Sequence, residues 1–176
     1  MDGPKCAHNV RIMTHVLHLD TVAACALWQP INDQVMGGLS SSGFRLDAAG
    51  WAVFEGTVSL QNNGGFASVR ANTRALARAG AAGYLLHVLG DGKRYKFNLR
   101  TDDTLDGLTY QASFQPPAGV WTDITVLVAG MTPTYRGQRV PRAPRLQPER
   151  IRQVGWMIAH GQAGPFALGI RSVTVF

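Results

Sequence analysis

From Ala52 to Leu60 the chain alternates. Ala52, Phe54, Gly56, Val58 and Leu60 fall on one side, and Trp51, Val53, Glu55, Thr57 and Ser59 on the other. A period of two with one apolar side predicts a half-buried strand. Tyr95, Phe97 and Leu99 alternate with Lys96, Asn98 and Arg100 in the same way. Before them, "YLLHVLG" (84–90) is a continuous apolar run, as in a central strand. The intervening Asp91-Gly92-Lys93 predicts a turn, and the two runs together predict a hairpin. "YQASF" (110–114), "DITVLV" (123–128), "VGWMIA" (154–159) and "FALGIRSVTVF" (166–176) extend the series. The last run changes phase between Ile170 and Val173, which predicts a bulge or bend near Gly169. Helical signals are short: "DTVAACAL" (20–27) with Asp20 as N-cap, "TRALARAG" (73–80) ending at glycine, and one turn at "PERI" (148–151). The pattern is all-β, an antiparallel sandwich or barrel with a few short helices.

Composition narrows this. A chain of 176 residues, 45% hydrophobic and 16% charged, folds and most simply makes one domain. Residues 1–13 read as an extension, with Met1 or Met13 as the start, and 14–176 as a single sandwich. Only Cys6 and Cys25 are present, both ahead of the strand series. They make no disulfide framework and suit a reducing compartment. With no signal-type apolar region and no run long enough to span a membrane, a cytoplasmic location is expected.

The net charge is +6, and its distribution matters more than its size. Thr134 to Gln153 holds six arginines against one acid, Glu149. Arg136, Arg139, Arg142 and Arg145 make a candidate surface for an acidic protein partner. A solvated loop punctuated by Pro141, Pro144 and Pro148 is the plainer alternative. No nucleic-acid motif accompanies the arginines, so no nucleic-acid partner is expected.

Catalytic and metal motifs fail one by one. "GLSSSG" has the wrong spacing for a nucleophile elbow. "GDGKRY" lacks the third glycine of a dinucleotide loop. His15 and His18, three apart on a strand, point to opposite faces. "DDTLDG" (102–107) lacks the register of a calcium loop. No carboxylate pair stands out for glycoside hydrolysis. Neither an enzyme, a cofactor nor a metal is expected.

Two polar, glycine-rich runs remain: "NDQVMGGLSSSG" (32–43) and "QNNGGFASVR" (61–70). Asn62, Asn63, Gly64 and Gly65 suit positive φ and predict a tight hairpin turn. Asn32 and Asp33 are suited to capping backbone amides, Gly37 and Gly38 allow close backbone approach, and Met36 is expected to plug the core. With Ser40, Phe66, Ser68 and Arg70 these residues form either a structural lock or the wall of a ligand groove.

"WQPINDQVMGGLSSSGF" followed by "AVFEGTVSLQNNGGFASVRA" closely resembles the signature of the complex I intermediate-associated protein 30 family. "GDGKRYKFNLRT", "YQASF", "VWTDI", "IRQVGWMI" and "GPFALGIRSV" follow in the family's order, so the resemblance covers roughly residues 16–176. It implies a jelly roll similar to galactose-binding and carbohydrate-binding modules. It also implies a non-catalytic, chaperone-like part in assembling NADH:ubiquinone oxidoreductase, with a respiratory-complex subunit as partner. The alternative is a carbohydrate- or small-polar-ligand-binding module. For that reading Trp51 and Trp121 are the candidate sugar-stacking residues.

Overall fold

The computed structural model describes residues 16–102 and 107–176, with Val35 described by its backbone alone. The expectations for residues 1–13, His15 and positions 103–106 lie outside that range. Two antiparallel sheets face each other. The first contains β1 (Val16–His18), β3 (Ser41–Leu46), β4 (Ala52–Val58), β6 (Gly83–Leu89), β9 (Trp121–Leu127) and β13 (Gly164–Val175). Its order is β3-β4-β13-β6-β9, with β1 also on β13. The second contains β2 (Gln29–Pro30), β5 (Ala67–Asn72), β7 (Tyr95–Thr101), β8 (Leu108–Phe114), β10 (Thr132–Tyr135), β11 (Gln138–Arg139) and β12 (Ile151–Ile158). Its order is β11-β10-β8-β7-β12-β5-β2. This is an antiparallel sandwich, as the period-two pattern predicts, and of the jelly-roll kind that the family resemblance implies.

Alternation places the core. Phe54, Tyr84, Leu86 and Leu168 of the first sheet meet Tyr95, Phe97, Tyr110 and Trp156 of the second, all nearly fully buried. Tyr84 meets Phe97 across the gap at 5.8 Å between centroids, and Phe97 packs on its neighbour Trp156 in the same sheet at 5.1 Å. Truncating a residue such as Trp156 to alanine costs about 3–5 kcal/mol in such a setting. Two polar atoms inside, Tyr84 Oη and Trp156 Nε1, have no hydrogen-bond partner among the described residues. Burial drives the Tyr84 phenol far above its ordinary pKa.

Several local expectations are corrected. β6 and β7 do not form a hairpin: β6 pairs with β9 and β13, while β7 pairs with β8 and β12. The Asp91 turn carries the chain from one sheet to the other. Its carboxylate accepts hydrogen bonds from the Tyr95 hydroxyl at 2.9 Å and from Ala167 N at 3.0 Å, which ties the crossing to both sheets. Gln61–Asn63 is likewise a crossing, from β4 to β5, and not a hairpin turn. The segment 73–80 is a series of turns, not a helix. Seven or eight residues nucleate a helix poorly without an apolar stripe, and only Leu76 here is fully buried. The one α-helix among the described residues, α1 (Val22–Ala26), is capped by Thr21, whose Oγ1 accepts from Ala24 N at 3.1 Å, not by Asp20. The single turn at Pro148–Arg150 is present. The register of β13 against β6 slips between Ile170 and Ser172, so the bulge lies at Arg171, two residues past Gly169. Among the described residues no helix is long and apolar enough to cross a membrane.

Candidate functional site

The glycine-rich runs meet at one carboxylate. Asp33 is fully buried. It accepts from Ser40 N at 3.0 Å, Ser40 Oγ at 2.5 Å, Gly65 N at 2.8 Å and Phe66 N at 3.4 Å. Burial alone raises its pKa. The hydrogen bonds from the Ser40 hydroxyl and the three backbone amides outweigh burial and hold the carboxyl below its ordinary value. Ser40 Oγ also receives Ser59 N at 3.0 Å. Asn32 repeats the device: its Oδ1 accepts from Ser68 N at 3.1 Å and Ser42 Oγ at 2.7 Å, while the Ser68 hydroxyl donates to Ile31 O. Asn62 Nδ2 donates to Gly37 O at 3.2 Å.

The glycines make room for this. A Cβ on Gly38 would stand 2.8 Å from the Asp33 Cβ, and one on Gly64 would stand 2.7 Å from its Oδ2. Gly37, Asn62, Asn63 and Gly65 all have positive φ. The arrangement ties β3, the β4–β5 crossing and β5 together. Met36, expected in the core, is 62% exposed because Asp33 takes the buried position of this turn.

Outside the lock lies a groove of about 800 Å³ on the outer face of the seven-stranded sheet. Strand register builds its floor. Arg70 pairs with Gly155, Gly155 with Asn98, and Asn98 with Gln111, a row crossing β5, β12, β7 and β8. One step along, Gln153 pairs with Arg100; in the other direction Met157 pairs with Lys96. Gly155 leaves the centre of the row as bare backbone, a place where a ligand can approach closely. Met36, Phe66 and Ser68 form the wall at the β5 side, and Arg136 the wall opposite. Asn98 Oδ1 is buried in the floor without a hydrogen-bond partner among the described residues.

The arginine segment is more ordered than a solvated loop. β10 and β11 form a two-residue hairpin with Arg136 and Gly137 both at positive φ, 48° and 79°. Beyond it the Tyr110 hydroxyl holds Pro144 O at 2.9 Å, and Leu146 is buried. Arg139 stands at the far end of the same face, whereas Arg142 and Arg145 are exposed outside the groove. Arg150 is paired within the chain: its Nε reaches Asp102 Oδ1 at 2.9 Å, and Arg74 joins the same carboxylate.

Trp51 and Trp121 stand on the opposite side of the molecule, on the outer face of the six-stranded sheet. They pack edge to face at 5.2 Å, and Trp121 stacks on His87 at 5.1 Å. The Arg171 guanidinium sits 4.3 Å from the Trp121 ring centre and 5.5 Å from that of Trp51. Gly169 lies beneath both rings. The structure therefore does not bring the two tryptophans to the groove. The groove residues that sequence reasoning passed over are Asn98, Arg100, Gln111 and Gly155. Their outward phase was readable in each strand, but not which strands were neighbours.

Fold and groove together define a jelly-roll β-sandwich with a groove on the outer face of one sheet. The family described as Complex I intermediate-associated protein 30 (CIA30) matches residues 17–170, and the chain belongs to that family. No curated protein sequence gives a match. Among solved structures, the chain is similar to the family 11 carbohydrate-binding module from Clostridium thermocellum in complex with a β-1,3-1,4-mixed-linked tetrasaccharide. The identity is 13% and the TM-score 0.67, covering 92% of this chain and 95% of that one. The family 11 module of the Clostridium thermocellum cellulosomal cellulase Lic26A-Cel5E gives 13% identity and a TM-score of 0.61, over 84% of this chain and 86% of that one. A family 29 carbohydrate-binding module gives 8% and 0.51, over 93% and 91%. At these identities the likeness is one of fold.

Proposed function

We propose that this chain is a non-catalytic binding module that holds a protein partner in the groove on its seven-stranded sheet, as an assembly factor for a subunit of NADH:ubiquinone oxidoreductase. Family membership supports the choice of partner. The observation that carries the groove is the row Arg70–Gly155–Asn98–Gln111. Each of these residues comes from a separate segment of the family-like sequence, and register brings all four to one face. Arginine and amide side chains recognise; none here is paired as nucleophile and base. The test is affinity purification from the native host, with the unaltered chain beside an Arg70→Glu/Arg136→Glu variant. Recovery of respiratory-complex subunits with the first and their loss with the second is the expected result. Equal recovery with both would remove the groove from the account.

A saccharide is the second reading. The unpartnered Asn98 Oδ1 and the surrounding amides suit hydroxyl groups, and the family 11 module of similar fold was solved with a tetrasaccharide. The placing of Trp51 and Trp121 on the other sheet weighs against it, since they cannot serve as stacking platforms in the groove. Salt-insensitive binding on a glycan array, lost on Asn98→Ala, would favour this reading.

A further inference from the structure

The groove does not stop at the β10–β11 hairpin. A second depression of about 640 Å³ shares Gln111, Thr134 and Gly137 with it; Lys96, Arg139 and His160 line it too, and its far wall is Ile124 to Leu127 of β9, at the edge of the six-stranded sheet. The two make one trough across the strands. Its chemistry changes along its length. At the β5 end the wall is apolar, with Met36, Phe66 and Ile31. Cations stand across its whole width, with Arg70 on β5 beside the apolar wall, Lys96 on β7, and Arg136 and Arg139 at the β10–β11 hairpin. No aspartate or glutamate is among the described residues lining either part.

Three details show cations of the trough without a counter-charge among the described residues. Arg70 makes no hydrogen bond or ion pair with any described residue. Lys96 is half-buried, and its Nζ has among the described residues only the neutral Gln111 Oε1, at 3.3 Å, as a hydrogen-bond partner. The cations act on His160, whose pKa is lowered by Lys96 first, then by burial and by Arg94. Backbone conformation adds a fourth. Arg136 and His160 have φ of 48° and 65°, the left-handed region in which Asn and Gly are more at ease. Both line the trough.

We infer that the trough takes an extended acidic segment of a protein, with its carboxylates over Arg70, Arg136, Arg139 and Lys96 and an apolar side chain against Met36 and Phe66. This rests on the reading of the groove as a protein-binding site and gives that partner its chemistry. The distance from β5 to β10 spans four strand spacings, roughly 19 Å. An extended chain covers it with about six residues. Carboxylates there form charge-assisted hydrogen bonds. Methionine at the apolar end adapts to whichever side chain arrives. The bare backbone at Gly155 and the orphan Asn98 Oδ1 receive the main chain, whose N–H groups are the donors that a neutral floor needs.

The test uses fluorescence anisotropy with a labelled peptide of about six residues, one leucine at one end followed by alternating glutamate and aspartate. Controls are its amide analogue, the peptide with leucine at the opposite end, and an oligouronate of equal charge. Expected are binding of the acidic peptide, about tenfold or more weaker binding of the amide analogue, and weakening as salt rises. An Arg70→Gln/Arg136→Gln/Arg139→Gln variant with unchanged melting temperature should lose about tenfold or more in affinity for the acidic peptide. If that variant is destabilised, Arg136→Gln alone, at the exposed hairpin tip, with amide-shift mapping on the unaltered chain, decides the matter. Equal affinity for the amide analogue, acidic-peptide binding indifferent to the variants, or binding of the oligouronate in place of the peptides would each overturn the inference. Loss of native subunits by the Arg70→Glu/Arg136→Glu variant without acidic-peptide binding would leave the groove reading standing and this inference refuted.

Discussion

Gly38 sits against Asp33 so closely that a methyl group at 38 would stand 2.8 Å from the aspartate Cβ and nearer still to its carboxyl. The glycine is thus the mould for a buried carboxylate that serves four donors. Gly38→Val therefore should lose about 1–3 kcal/mol by overpacking. Asp33→Ala should lose at least about 3 kcal/mol, because it strands several buried donors at once. Chemical denaturation of both variants checks this. A loss under about 0.5 kcal/mol for Asp33→Ala would mean that the lock contributes nothing.

Acid should open the same lock. The folded-state pKa of Asp33 lies below its unfolded value, so its contribution is complete above the ordinary carboxylate range. It is lost as pH falls through the lowered folded value. Asp102, which burial would raise but which Arg150 and Arg74 hold down, adds to the same limb. Melting temperature against pH should fall below about pH 4. In Asp33→Asn the acid limb should be shallower. Identical acid limbs in the two proteins would assign the transition to other carboxylates.

Tyr84 offers the opposite kind of change. Its hydroxyl is buried without a partner, so folding leaves its hydrogen-bonding capacity unmet. Tyr84→Phe removes the cost and keeps the ring that packs on Phe97. A gain of roughly 1–2 kcal/mol is expected. A loss of similar size in thermal or denaturant unfolding would point to a water or side chain satisfying that oxygen in solution.

Trp121→Ala should act on stability and not on the trough. The ring rests over Gly169 between neighbours that include His87, Trp51 and Arg171. Half-buried packing plus a cation–π contact suggests a loss of about 1–3 kcal/mol. Binding of the acidic peptide, measured at a temperature where the variant is folded, should be unchanged. Weakened binding without lost stability would make the six-stranded face a site in its own right.

How much of this was legible in the sequence varied with the range of the interaction. Alternation located β4, β7 and β12 because each has one wet and one dry face, and that signal is local. The Asp91 turn was visible as a turn, yet its chemistry bends the chain without saying which strand the next one joins. That depends on Ala167, seventy-six residues away. Asn32 and Asp33 were recognisable as amide acceptors from side-chain type alone. Met36 was misplaced because apolar character does not reveal that a carboxylate has already taken the interior. The trough was the least legible part. Arg70, Gly155, Asn98 and Gln111 are dispersed along the chain, and only pairing assembles them.

The Asp33 hub also works as a clock. Its acceptor atoms are shared by amides that lie seven, thirty-two and thirty-three positions downstream. The Ser40 bond is local, but the Gly65 and Phe66 bonds cannot form before the β4–β5 crossing has closed, so the complete hub is a late event with a high loop-closure cost. By the same token, the Ser40 and Gly65 amides should exchange their hydrogens with solvent in step, at the rate set by a single opening, although forty and sixty-five belong to different strands of the chain's history. A residue-resolved exchange experiment would thus read the closing of the whole sandwich from two protons.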